Sequence, residues 1–461
     1  MIKPLEMHRE RLGPVRGSFT RYCTSLAGMP GTVTLISGGP TEQGRYSLLG
    51  AYPYAAVYGR GRTLDVVRRG GTVTRVDNPF KVLNEIFPVH GLGKLPDDLP
   101  FAGGALGYLG YELAGHLERL PPPRGDRFQL PELCLFFPSL VVIRDRLKRE
   151  DYLLTCKATP SGVSKKLRDL ARQPEAPVQT GALLYSAGQL SANFSRSAYL
   201  GIVEQARRYI HQGDIYQVNL SQRFRYGFHG DPYFLFTRLL AENPAPYFAY
   251  INGGNFAVIS TSPERFVKRW GQVVESRPIK GTRPRHADPE QDAAQRAELL
   301  ASVKDSAELV MIVDLVRNDL SRVCQPGTVK VDEHRRIEGY RNVYHMVSVI
   351  TGQLRSGLGS IELLRALFPA GSITGCPKIR AMEIINELEP DVRGVYTGAI
   401  GYIGWHDNVD LNVAIRTAVV KGDSLSFAVG GGIVYDSDPE AEYLETLHKG
   451  ATFFKLLGVN P

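Results

Sequence analysis

The chain is poor in the features that tie a protein to a disulfide framework, a membrane or nucleic acid. Its five cysteines, Cys23, Cys134, Cys156, Cys324 and Cys376, are odd in number, far apart and without a Cys-x-x-Cys spacing. Neither a disulfide scaffold nor a zinc site is expected, and a reducing cytoplasm fits. The longest apolar run, Leu133 to Ile143, is interrupted by Pro138 and Ser139 and is too short to cross a bilayer. Met1 to Arg11 carries Lys3, Glu6, Arg9, Glu10 and Arg11 without an apolar block, which is not a secretory leader pattern. Lysine plus arginine exceed the acidic residues by 55 to 47, yet the cations are scattered. The densest group, Arg144 to Arg149, contains Asp145 and is followed by Glu150, and no basic stripe alternates with aromatics. No nucleic acid and no membrane partner is expected. The stretches Gly39 to Gly44, Gly103 to Gly107 and Gly371 to Lys378 lack the spacing of a phosphate loop or a dinucleotide fingerprint.

What is present is an ordered, turn-rich chain of 461 residues, 43% hydrophobic with 48 Gly and 30 Pro, long enough for two domains or two interleaved layers. Over the first part, Thr32 to Ser37, Ala55 to Tyr58, Thr72 to Val76, Leu133 to Ile143 and Asp151 to Cys156 read as antiparallel strands. Lys157 to Asn193 is polar and reads as a linker with a short helical piece near Val163 to Ala171. From Ser195 long helices alternate with strands. Helices are expected at Tyr199 to Gln212, Glu290 to Lys304, Ser306 to Leu320 and Ile361 to Leu367, and a Ser-x-x-Glu capping box at Ser437 opens a last one. Strands are expected at Ile215 to Phe224, Phe266 to Val274, Gly339 to Gly352, Ala399 to Tyr402, Val409 to Val420 and Leu425 to Tyr435. The class is α+β, antiparallel sheets with helices packed outside.

Lys280 lies in the Gly/Pro-fixed turn Pro278 to Thr282, followed by Arg283 and Arg285. An amine in such a cationic turn is a potential nucleophile, although a lone lysine is more often a solvated charge. Glu442, Glu445 and Lys449 share one face of the last helix. That spacing fits a salt-bridged surface, and it also fits a set of Mg²⁺ carboxylates to which Glu308 adds a third. Gly430-Gly431-Gly432 reads as an anion nest or as a strand bulge. Arg416, on the polar face of its expected strand, suits a carboxylate, and His345 reads as a packed, hydrogen-bonded strand residue.

Taken in order, Gly213 to Leu220, Asn243 to Tyr247, Ser262 to Phe266, the Lys280 turn, Asp314 to Leu320, Gly371 to Arg380, Ile415-Arg416-Thr417 and Ser437 to Lys449 resemble the chorismate-utilising enzymes. Gly44 to Leu49 and Gly103 to Glu112 are similar to the matching part of the anthranilate and aminodeoxychorismate synthases. The resemblance implies an anthranilate-synthase-like sandwich. Its domains would be an N-terminal one over 1–156, a linker over 157–193 and a chorismate-binding catalytic domain over 194–461.

It also implies Glu308 and Glu445 as Mg²⁺ ligands, with Glu442 close by through water. Arg416, Tyr402, Ser372, Lys449, Gln217, Thr282 and the amides of Gly430 and Gly432 would hold chorismate, and His345 would belong to the catalytic set. Glu264 is the implied general acid for the C4 hydroxyl. Gln217 stands where isochorismate and salicylate synthases carry a water-activating lysine, which argues against water as nucleophile. Lysine at 280 resembles aminodeoxychorismate synthases, whereas anthranilate synthases have alanine there. The implied reaction is attack of Lys280 at C2 and displacement by ammonia at C4. None of the cysteines sits in a nucleophile elbow, so the ammonia would come from a partner glutamine amidotransferase subunit. Ser47, Pro246 and Tyr247 resemble a tryptophan pocket. The competing readings are the anthranilate synthase large subunit, a non-catalytic anion-binding module and a basic nucleic-acid binder.

Overall fold

The computed structural model describes residues 2–38, 44–89, 92–93, 95, 99–173, 189–242 and 245–461. Its frame is a ribbon of two long antiparallel strands, Tyr46–Arg60 and Leu133–Asp145, paired from Tyr46 with Asp145 to Gly59 with Leu133. A register shift between Pro53 and Ala55 bends the ribbon. Each half then continues into its own layer.

On one side the order runs Val33–Ile36, Tyr247–Asn252, Phe256–Ser262, Thr417–Lys421, Ser424–Ile433 and Gln217–Gly227. On the other it runs Gly104–Leu109, Ala399–Gly404, Asn408–Val413, Arg265–Trp270, Val273–Arg277 and Val343–Gln353, the last flanked by Ile279–Pro284 and Lys330–Gly339. All of these pairings are antiparallel. The expected α+β sandwich with outer helices is what forms.

Side-chain alternation builds three apolar layers. Leu48, Val141, Ala249, Val258 and Val419 from the first side meet Leu106, Tyr108, Phe136 and Ile400 from the second in the space between the layers. Their strand neighbours face outward. Leu49, Ala51, Leu140 and Val142 pack with the helices Thr20–Leu26, Pro232–Glu242 and Pro439–Leu457. Leu133, Leu135 and Phe137 pack with Pro79–Ile86, Val303–Ser321 and Ser360–Leu367. Burying each such leucine contributes roughly 1.5–3 kcal/mol.

The segments 1–156 and 194–461 do not hold separate sheets, because Val33–Ile36 pairs with Tyr247–Asn252 and Gly104–Leu109 with Ala399–Gly404. The expected linker contains the helix Val163–Arg172, and its residues 174–188 lie outside the described residues.

Several expected elements are redrawn where the chain changes layer. Val409 to Val420 is two strands, Asn408–Val413 in one layer and Thr417–Lys421 in the other, with Arg416 between them at φ 49°. Phe266 to Val274 is a hairpin turning at Gly271. The Lys280 turn is a strand, Ile279–Pro284, carrying a bulge at Gly281 (φ 72°). A Cβ at Gly281 would come within 2.7 Å of Leu299 Cδ1, so glycine is required at this bulge. The last helix is capped by Asp438, whose side chain accepts from the Ala441 amide at 2.8 Å, rather than by Ser437. No helix among the described residues is long and apolar enough to cross a membrane.

Candidate active site at the seam between the layers

Glu264 and Arg416 sit at the two neighbouring points where the chain crosses from one layer to the other. The Val413 amide donates to the Glu264 carbonyl at 3.0 Å, and the Thr261 amide donates to the Arg416 carbonyl at 3.0 Å. Around this seam the structure gathers Lys280, Gln217, Glu308, Glu442, Glu445 and Lys449.

The floor is the glycine run, which is neither a nest nor a bulge but part of the strand Ser424–Ile433, with Gly430, Gly431 and Gly432 opposite Ser221, Leu220 and Asn219. A Cβ at Gly432 would lie 2.3 Å from Gln217 Nε2 and 3.1 Å from Lys280 Nζ. At Gly431 it would lie 3.0 Å from Glu442 Oε2 and 3.7 Å from Glu445 Oε1, and at Gly430 2.9 Å from the Tyr396 hydroxyl. Gly430 and Gly432 therefore leave room on one face of the strand for a hydroxyl, an amide and an amine, and Gly431 leaves room on the other for two carboxylates.

Lys280 Nζ is 3.4 Å from Glu308 Oε2. Its expected cationic neighbours turn elsewhere, Arg283 to Glu298 and Asp305, Arg285 to Asp292. Glu308 stands in the second turn of the helix Val303–Ser321, which starts earlier than expected because Ser302 caps it. Ser302 thus brings Lys304, expected to end the previous helix, into this one. Its ammonium is 3.5 Å from Glu442 Oε1 and close in charge to Glu308 and Glu445.

Ser437, displaced from its expected cap, donates to Glu442 Oε1 at 2.7 Å. Burial, with Glu445 adding repulsion, raises the Glu442 pKa. Burial also pushes Glu445 upward, but Lys449, Lys304 and Lys280 outweigh it and hold that carboxyl below its ordinary value. Lys449 Nζ meets Glu445 Oε1 at 2.6 Å and donates to the Gly430 carbonyl at 2.9 Å.

Polar atoms left without partners cluster here. Gln217 Oε1, Asn219 Nδ2 and Glu442 Oε2 are buried and unbonded among the described residues, a costly arrangement unless a ligand completes it. A hard divalent cation fits this donor set, since the available ligands are carboxylates and one buried carboxylate oxygen is unsatisfied. Among the described residues no three His, Cys, Asp or Glu side chains are yet gathered into a cage.

Glu264 is 4% exposed. Burial raises its pKa to about 7, against the pull of Ser372, Lys280, the Ile279 amide and Lys449. Ser372 donates to Glu264 Oε1 at 2.5 Å. Thr282 Oγ1 is 2.9 Å from His345 Nδ1, so Thr282 is engaged with the histidine. Burial first, then the Arg416 charge, lower the His345 pKa to about 3. The imidazole is neutral at working pH and serves the strand that carries Lys280. Among the described residues the Arg416 guanidinium has no ion-pair partner, and burial lowers its pKa.

Tyr402 is not brought to this cluster. Its ring packs against Phe101 at 5.5 Å and lines a separate N-terminal cavity of about 440 Å³ with Arg45, Tyr46, Pro246, Tyr247, Arg265 and Asp410. Pro246 and Tyr247 belong to that wall, while Asn243 and Pro244 lie outside the described residues. Ser47 Oγ accepts from the Ser37 amide at its edge, at 3.2 Å. Tyr396, six residues earlier, is the tyrosine that reaches the glycine floor. It precedes its strand in a loop where no periodicity marks it. Lys304 and Ser437 were equally invisible as site residues, since a boundary shift moved the first and a misplaced cap hid the second.

The family described as chorismate binding enzyme matches residues 67–455. The aminodeoxychorismate synthase component 1 of Klebsiella aerogenes is 41% identical over 93% of this chain and 94% of its own. The anthranilate synthase component 1 of Cereibacter sphaeroides is 39% identical over 90% of this chain and 86% of its own. The crystal structure of anthranilate synthase component I from Streptococcus pneumoniae TIGR4 superposes with a TM-score of 0.77 at 32% identity, covering 88% of this chain and 91% of that one.

Proposed function

The chain belongs to the family of chorismate binding enzymes, and from that premise we propose that it aminates chorismate at C4, giving 4-amino-4-deoxychorismate on the route to 4-aminobenzoate and folate. The observation that carries this reading is the Lys280 amine, inside the site and directed over Gly432 beside Gln217.

In the proposed sequence the Lys280 amine, having released its proton to solvent, bonds to ring C2, two double bonds shift, and the C4–O bond breaks. Glu264, buried and raised toward neutrality, gives its proton to the departing hydroxyl, which leaves as water. Ammonia then bonds to C4, the double bonds shift back, and the C2–N bond to Lys280 breaks. The balance is ammonia in and water out, with the enolpyruvyl group retained. Arg416, Lys449 and the Tyr396 hydroxyl would face the substrate's carboxylates and oxygens. Gln217 offers an amide where hydrolysis would need a base. Glu308, Glu442 and Glu445 would hold Mg²⁺, which when bound neutralises the ring carboxylate and draws electron density toward it. A glutamine amidotransferase subunit in the same cytoplasmic compartment would supply the ammonia.

Relatives named anthranilate synthase at nearly the same identity favour a second reading, in which ammonia attacks C2 and pyruvate is lost. The test is incubation with chorismate, Mg²⁺ and an ammonium salt. A non-fluorescent product that only an added lyase converts to 4-aminobenzoate supports the first reading. Fluorescent anthranilate supports the second.

A further inference from the structure

We propose that Ser372 is a positioning residue for acid catalysis: by donating to Oε1 of Glu264 it fixes the rotation of that carboxyl and leaves Oε2 to carry the proton passed to the departing hydroxyl. The inference rests on the proposed function only for the loss of the C4 hydroxyl, a step common to both readings.

Geometry makes the serine a rigid donor. It sits in the single turn Gly371–Ile373, between the helix Ser360–Leu367 and the helix Lys378–Leu388. Two cations, half-buried Lys378 and buried Arg393, hold the carbonyls on either side of it. Lys378 Nζ donates to Leu367 O and Pro369 O at 3.0 Å each, and pairs with Asp319. Arg393 Nη1 donates to Ile373 O at 2.8 Å, while its other nitrogens grip Glu389. The Asn219 amide, from the strand beneath the site, donates to Thr374 O at 2.8 Å. A Cβ at Gly371 would fall 2.6 Å from Leu315 Cδ2, so the turn is pressed onto the helix Val303–Ser321. Among the described residues the Ser372 hydroxyl makes one hydrogen bond, the one to Glu264.

The carboxyl it meets is fixed at its other end. The Glu264 amide donates to Ser262 Oγ at 3.2 Å, and Ser262 Oγ donates to Val413 O at 2.6 Å. With the backbone held, the Ser372 hydroxyl and the Ile279 amide are the hydrogen-bond donors that orient the carboxyl, and Ser372 is the one that a side-chain substitution removes. The charged groups that face Glu264 are Lys280 from its strand and Lys449 from the last helix. Its neighbour Arg265 is committed to Asp410 and Glu275, and Asp319 to Lys378. Beside the pair lies a void of about 10 Å³ lined by Glu264, Ser372, Pro278, Asp319 and Val413, about the size of one water.

The experiment follows chorismate consumption with Mg²⁺ and ammonium across pH, for the wild type, Ser372→Ala and Ser372→Thr. We expect Ser372→Ala to lower kcat roughly tenfold, the rate equivalent of one hydrogen bond, with KM changed less than about twofold, since uniform binding is untouched. Donation to the carboxylate stabilises its charged form, so the variant should move the alkaline limb of kcat upward by about half a unit. Ser372→Thr, which keeps the hydroxyl, should restore both. A large rise in KM with kcat and limb unchanged would mean that the serine holds substrate, and would overturn the proposal, as would wild-type behaviour of Ser372→Ala. If Ser372→Ala does not fold, Ser372→Cys carries the same test with a weaker donor. Because the readout is loss of chorismate, it stands whichever aromatic precursor is made.

Discussion

The seam site and the N-terminal cavity are both polar pockets in the same sandwich, and they differ in how their polar atoms are satisfied. In the N-terminal cavity Arg265 meets Glu275 at 2.6 Å and Asp410 at 3.1 Å and lies over the Tyr247 ring, and Arg45 meets Asp145 at 2.6 Å. No buried side-chain polar atom lining it lacks a partner among the described residues. At the seam three buried atoms from three side chains are left open, and cations face carboxylates without closing every pair. The cavity's arginines are closed into ion pairs within the protein, whereas the seam leaves buried oxygens and an amide open for a ligand to complete.

This contrast can be broken by substitution. Lys280→Ala should lower chorismate amination roughly 10³-fold or more, or divert it to anthranilate, with little change in Tm. Wild-type amination kinetics would remove Lys280 from the reaction. Arg265→Met should do the reverse. By leaving Asp410 without its guanidinium, while Glu275 keeps Arg277, it should cost about 3–5 kcal/mol of stability in denaturant melts, and a variant as stable as the wild type would show that the Arg265–Asp410 pair is dispensable.

Glu264→Gln sharpens the comparison through pH. The folded carboxyl titrates at about 7 against an ordinary 4.5, so the fold keeps a proton that the unfolded chain has released. Its contribution is full below about 4.5 and is lost as pH rises through 7. The glutamine variant should be inactive yet melt a few degrees above the wild type at pH 8, with the gap closing at pH 4. An unchanged gap would place the carboxylate in water. The smallest effect is expected from Tyr402→Phe, which should leave KM for chorismate within about twofold, because the residue lines the other cavity. A tenfold rise would return Tyr402 to the substrate.

The two tyrosines show where the sequence was readable. The motif order carried Lys280, Glu264 and the three glutamates to one place, since residue types and local spacing mark them. It points to Tyr402 and misses Tyr396, because strand alternation marks the first without saying which of two layers its face meets, while the second lies in a turn that carries no periodicity. The break at Ala414 to Arg416 was hidden for the same reason: apolar alternation continues on both sides while the chain leaves one layer for the other. Ser437 and Asp438 are both good caps one residue apart, and only the Glu442 carboxyl above Ser437 decides between them. The cationic setting expected for Lys280 is absent because Arg283 and Arg285 find acidic partners on the two helices that follow.

The pairing of Gly104–Leu109 with Ala399–Gly404 also governs how the protein can be made. At 5–20 residues per second, roughly 15 to 60 s of translation separate the two strands. During that time an early, wholly apolar strand waits with one edge bare. Newly made chains should therefore depend on chaperone shelter until the ribosome has nearly finished, and truncation before Ala399 should yield aggregates rather than a smaller enzyme.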